Sequence, residues 1–141
     1  MAITYKFMEK KDKELLLKDL CARLPYHVKC KIWLKDGTTE EGLLDLEHNY
    51  GNVLQDAFYY NKIKDIKPYL RPISSMTEEE RKEYYTFQYK FTLQAHDCQE
   101  LHKETFSEYL YWLNKNMFDY CGLIEKGLAI EVTDENNPYK D

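Results

Sequence analysis

The stretch DIKPYLRPISSMTEEE, Asp65 to Glu80, is where the chain changes character. Pro68 and Pro72 fix their own φ and press Lys67 and Arg71 toward extended backbone, so no helix is expected between them. A few residues later the reading reverses. Thr77 followed by Glu80 is a capping box: the Thr77 hydroxyl accepts from the Glu80 amide while the Glu80 carboxylate reaches back to the Thr77 amide. Glu78, Glu79 and Glu80 sit where the positive end of a helix dipole favours carboxylates. A helix is predicted from about Thr77, with Met76 packing on Arg81, Lys82 or Tyr84 beside the cap. Tyr69 and Arg71, between the prolines, lie in a stiff extended strip that reads either as a place for a partner to dock or as a strap across the core.

Upstream of this joint the pattern is one helix followed by strands. From Lys11 to Leu24, Leu16, Leu17, Leu20, Cys21 and Leu24 fall at helical spacing, with Lys13, Lys18 and Asp19 turned away, and Pro25 stops the run. Val28, Cys30, Ile32 and Leu34 then alternate with Lys29, Lys31, Trp33 and Lys35, a strand with one buried face. Asp36-Gly37 predicts a hairpin with positive φ at both central positions, returning as a strand from Thr39 to Leu46. Val53 to Tyr60 and Lys62 to Lys67 read as two more strands, and Ala2 to Met8 as an edge strand. So many short strands suit a small, strongly bent antiparallel sheet or an SH3-like barrel.

Downstream, Tyr85, Phe87, Tyr89, Phe91 and Leu93 alternate with polar residues as a strand would. The same segment continues a well-capped helix, in which Tyr84, Phe87, Phe91 and Ala95 share a stripe. The sequence leaves both readings open, with the cap favouring helix. Glu104 to Asn116 is a helix with Phe106, Tyr109, Leu110 and Leu113 inward and Trp112 at the margin. Gly122 and Gly127 mark turns before a short strand with Leu128, Ile130 and Val132, and the polar tail TDENNPYKD is expected to fray. The fold class is thus α+β: a helix plus a β-rich half over 1–73 and a mainly helical half over 74–141, in one compact unit.

Two family resemblances add to this reading. DIKPYLRPISSMTEEE together with LNKNMFDYCGLIEKGLAIE, Leu113 to Glu131, resembles a family of small uncharacterised proteins of gut-bacterial genomes, phages and prophages. That resemblance implies a phage or mobile-element setting and no particular chemistry. LKDGTTEEGLLDLEHNYGNVL, Leu34 to Leu54, is similar to the first motif of Sm-like RNA-binding proteins at Leu34, Asp36-Gly37, Gly42, Leu44 and Asn52. It implies a barrel led by a helix, with Asn52 in a base-contacting loop. The chain departs from that motif at His48 and Gly51, and no Arg-Gly pair follows in residues 62–73.

Composition narrows the function classes. A net charge of -5 over 141 residues argues against non-specific binding to nucleic acid or to an acidic membrane. Cys21, Cys30, Cys98 and Cys121 form no CxxC pair, MAITYKFMEKKDK has no apolar run, and no stretch approaches the roughly 20 apolar residues of a membrane span, so reduced thiols and a cytoplasmic location are expected. His96, Cys98, Glu100 and His102 supply two corners of a metal site at most, and no metal or cofactor is expected. No glycine-rich phosphate loop is present, and Ser74 and Ser75 are explained by the approach to the helix cap.

Two binding surfaces remain. The 13 tyrosines suit contacts in which a ring packs and a hydroxyl stays wet, and Tyr50, Tyr59, Tyr60, Tyr69 and the set from Tyr84 to Tyr89 read as a protein-binding surface or as half-buried packing. Trp33 among Lys29, Lys31 and Lys35 reads as a stripe for phosphate and stacked bases, or as a solvated strand face. The expected function is a non-enzymatic interaction module acting on another protein, of the host or of a phage. The alternative is an RNA or single-strand binder. The candidate binding residues are Trp33, His48, Tyr50, Asn52, Tyr69 and Arg71.

Overall fold

The computed structural model describes residues 10–44, 63–96 and 103–140. Its elements run α1 (Lys10–Arg23), β1 (Lys29–Leu34), β2 (Thr39–Leu43), β3 (Ile63–Leu70), α2 (Glu78–His96), α3 (Lys103–Lys115) and β4 (Ile130–Glu131). This is an α+β protein with a helix leading into a sheet. The expected strands at 2–8 and 53–60 lie outside the described residues.

The described strands form an open sheet in the order β2-β1-β3-β4. β1 is antiparallel to both β2 and β3, whereas β4 is parallel to β3. The strands of the β-rich half are thus antiparallel, as expected, and the short last strand makes the sheet mixed. The connection allows it: α2 and α3 lie between β3 and β4 in the chain, and a crossover of that length can return a strand in the same direction.

In β1 the alternation holds. Val28, Cys30 and Ile32 are fully buried, while Lys31 and Trp33 pair with Lys67 and Asp65 of β3 on the other face. The hairpin that follows is one residue longer than predicted, with the Leu34 amide donating to the Thr38 carbonyl at 2.8 Å across a loop of residues 35–37. The Gly37 amide donates to the Leu34 carbonyl at 3.0 Å, and Gly37 alone has positive φ, at 90°. Asp36 instead accepts from the Thr38 amide at 2.8 Å and hydroxyl at 2.6 Å. Pro68 sits within β3 opposite Cys30, so the extended reading of the joint is realised as strand.

The buried face of α1 is rotated from the expected one. Leu16, Leu20, Asp19 and Arg23 are inside, whereas Leu17 is 63% exposed and Cys21 is exposed. The cause is an ion pair that hydrophobic periodicity counts as surface. Arg23 Nε donates to Asp19 Oδ1 at 2.6 Å, and one Nη donates to the Phe118 carbonyl at 2.6 Å. The guanidinium carbon also lies 5.1 Å from the Tyr120 ring centroid. The first apolar cluster gathers Leu16, Leu20, Val28, Cys30, Ile32, Leu70, Leu123 and Leu128 around this pair's side of the sheet.

A second cluster, Met76, Trp112, Leu113 and Phe118, joins the helices to the joint. Residues 78–96 are helical, and the capping box forms as read: the Thr77 amide donates to Glu80 Oε1 at 2.9 Å and the Glu80 amide to the Thr77 hydroxyl at 3.2 Å. In α3 the inward face also differs from expectation. Trp112 is buried and Phe106 is 51% exposed, because the core lies at the C-terminal end of α3, where Phe118 meets Trp112 at 5.3 Å between centroids. The tail is not frayed. The Lys29 amide donates to the Tyr139 hydroxyl at 3.0 Å, Lys29 Nζ to the Pro138 carbonyl at 2.6 Å, and the Tyr139 hydroxyl to the Tyr69 carbonyl at 2.8 Å, which holds the tail against the sheet.

Candidate functional site

The alternation of Tyr85, Phe87, Tyr89, Phe91 and Leu93 has a particular consequence once it is wound into a helix. At 100° per residue, Tyr85 and Leu93 fall about 40° to either side of Tyr89, while Phe87 and Phe91 fall about 160° away. The helix is therefore apolar on two opposite faces. One is covered by α3: Phe87 meets Tyr109 at 5.3 Å and Trp112 at 5.8 Å, and Phe91 meets Tyr109 at 5.4 Å between centroids. The other carries Tyr85 and Tyr89, each 65% exposed, and Leu93, 47% exposed. Successive members are four residues apart, so the stripe is about 12 Å long. Glu78 and Lys82 continue it toward the N-terminus. Burial partners for the inward rings are present in the chain; the outward stripe stays largely exposed, with Tyr85 edge-on to Tyr84 at 5.8 Å between centroids.

A second surface lies on the face of the sheet opposite the core. The Lys31 and Lys67 ammonium groups each stand 5.5 Å from the Trp33 ring centroid. The two lysines are cross-strand neighbours, which brings two cations to one ring. Glu41, opposite Lys31 on β2, and Asp65, opposite Trp33 on β3, bring carboxylates to the same face.

The strip at the joint is built into the protein. Tyr69 is 6% exposed and its hydroxyl donates to Glu41. Burial first, and then that bond, keep the phenol protonated well above its usual range. Arg71 makes a two-pronged pair with Glu80, at 2.9 and 2.7 Å, and lies 4.4 Å from the Phe118 ring centroid. Its amide donates to the Met117 carbonyl at 2.7 Å and its carbonyl accepts from the Asp119 amide at 2.8 Å. The bonds from Arg71 hold the Glu80 carboxyl below the usual range, with the Thr77 amide adding to them. Arg71, Pro72, Ser74 and Thr77 then form one wall of a polar cleft of 780 Å³, faced by Lys115, Asn116, Asp134 and Asn137.

Of the residues singled out in the sequence, Trp33 is thus on the outer sheet face, Tyr69 and Arg71 are engaged within the fold, and His48, Tyr50 and Asn52 lie outside the described residues, as do the side chains of the His96 to His102 cluster. Trp33 and Tyr69 share a sheet face but not a site. The outward stripe of α2 was signalled by the same alternation that obscured its secondary structure. Among the described residues no group of three or more His, Cys, Asp or Glu side chains is arranged to hold a metal ion, and no helix is long and apolar enough to cross a membrane.

Comparison with protein-family models, with curated proteins and with solved structures gave no match.

Proposed function

We propose that the chain is a non-enzymatic protein-interaction module, of the phage or mobile-element setting that its sequence resemblance implies, and that it docks another protein on the outward stripe of α2. The observation that carries this reading is the two-faced helix. An apolar helix face is stable in water when something covers it, and exposed aromatic rings in a row are the usual anchors of an interface. Tyrosine tolerates the unbound state, because its hydroxyl stays hydrated while its ring waits for a partner.

The test is comparative capture. The immobilised chain and a Tyr85→Glu/Tyr89→Glu variant are exposed to the same cell lysate, with far-UV circular dichroism confirming that both are folded. The wild-type chain is expected to retain discrete proteins that the variant loses. Recovery of the same set by both rejects the α2 stripe as the docking face.

The lysine pair around Trp33 favours a second reading, binding of single-stranded nucleic acid, in which a base takes the ring face and phosphates meet Lys31 and Lys67. It predicts binding that weakens steeply with salt and is lost in a Trp33→Ala variant. Absence of binding to any oligonucleotide pool at low salt removes it.

A further inference from the structure

The outward stripe of α2 is flanked by charges that complement each other only between two copies of it. Tyr85, Tyr89 and Leu93 form its apolar centre, and Glu83 and Lys90, both exposed, border it on the side of Thr86. Glu83 and Lys90 are seven residues apart, which sets them within about 20° of each other around the helix but about 10.5 Å apart along it. At that spacing they cannot pair within one chain. Among the described residues neither has an ion-pair partner, and Lys90 Nζ rests 5.9 Å from the Phe87 ring centroid. An antiparallel copy of the same helix brings each of these charges to the other.

A two-fold axis at the level of Phe87 satisfies the whole face in one register. It sets Tyr85 against Tyr89 of the second copy, ring to ring. It lays the Lys82 stem over Leu93 of the second copy and, by symmetry, places Glu83 beside Lys90 twice. Antiparallel order also opposes the two helix dipoles. A parallel pair would instead crowd Glu78, Glu79 and Glu83 of both copies together and set Lys90 against Lys90. We propose that a second copy of this chain occupies the stripe, as an isologous dimer through antiparallel α2 helices. The proposal rests on the reading of α2 as a docking face and names its occupant. The three apolar side chains with their flanks bury on the order of 400 Å² from each copy, at the small end of protein interfaces. The dimer is therefore weak, with a Kd of about 10–100 μM.

Sedimentation velocity of the full-length chain from about 1 μM to about 1 mM brackets that Kd, with far-UV circular dichroism confirming the fold of each variant. The wild-type chain is expected to pass from monomer to dimer over this range, and Tyr89→Glu to stay monomeric. Glu83→Lys and Lys90→Glu each make both symmetric pairs repulsive, and each is expected to weaken the dimer about fivefold. Mixed in equal amounts, these two variants again place opposite charges across the axis and are expected to associate about as tightly as wild type. A wild-type chain that stays monomeric throughout, a dimer that survives Tyr89→Glu, or a mixture no tighter than either charge variant alone overturns the proposal. A monomeric wild-type chain that still captures lysate proteins through the stripe overturns the dimer and leaves the docking face standing, so the two readings fail separately.

Discussion

Removing either partner of the Asp19–Arg23 pair is expected to destabilise the protein far more than removing both. Each side chain is 0% exposed, and Arg23 has one Nη without a hydrogen-bond partner. In Asp19→Leu the guanidinium stays buried with only the Phe118 carbonyl to accept from it; in Arg23→Met a buried carboxylate loses its counter-ion. A broken buried pair costs about 3–5 kcal/mol, which for a chain of this size is a fall in Tm of roughly 10–15 °C. The double variant Asp19→Leu/Arg23→Met removes both charges and leaves the Phe118 carbonyl with the Tyr120 amide, at 3.1 Å, as its donor, a loss of about 1 kcal/mol. Urea denaturation of the four proteins, followed by circular dichroism, closes the cycle. Additive losses, with the double variant as unstable as the two singles summed, would refute the reasoning, because they would mean that the two charges do not depend on each other.

Three further outcomes are expected. Thr77→Ala removes the cap of α2 and should lower stability by about 1 kcal/mol, read as a shift in the urea midpoint at constant slope. Glu80 has a folded pKa below its ordinary value, so its contribution is complete above the unfolded value of about 4.3 and is lost as pH falls through the lower folded value; Glu80→Gln should flatten that acid limb in urea midpoints measured from pH 6 to pH 2. The Cys30 thiol is buried, and burial, with the Asp19 charge adding, pushes it up to about 12, whereas Cys21 is exposed. Iodoacetamide at neutral pH, followed by peptide mapping, should label Cys21 in the folded protein and Cys30 only after denaturant is added.

Local signals were legible and long-range ones were not. The Thr77 box forms because both of its bonds lie within four residues of chain, and β1 because its alternation matches a face that is buried whatever lies beyond it. The burial of Asp19 and Arg23 depends on the Phe118 carbonyl, 95 residues from Arg23, and no pattern within α1 announces it. The tail reads as polar and loose until Tyr139 is seen to complete the ladder between Lys29 and Tyr69. In α2 the difficulty was of another kind: a two-residue apolar period and a helix with two apolar faces produce the same sequence, and only the packing of Phe87 and Phe91 on α3 separates them. Tyr69 and Arg71 were legible as an extended strip, but their side-chain partners, Glu41, Glu80 and Phe118, lie outside it and were not.

The most direct test of the α2 docking face is a photo-cross-linker placed on it in the cell. With p-benzoylphenylalanine in place of Tyr89, irradiation should yield a discrete adduct between the chain and another polypeptide, and the same group at Glu125, exposed in the turn before β4, should not. No adduct from position 89, or the same adducts from both positions, would contradict a docking face on α2.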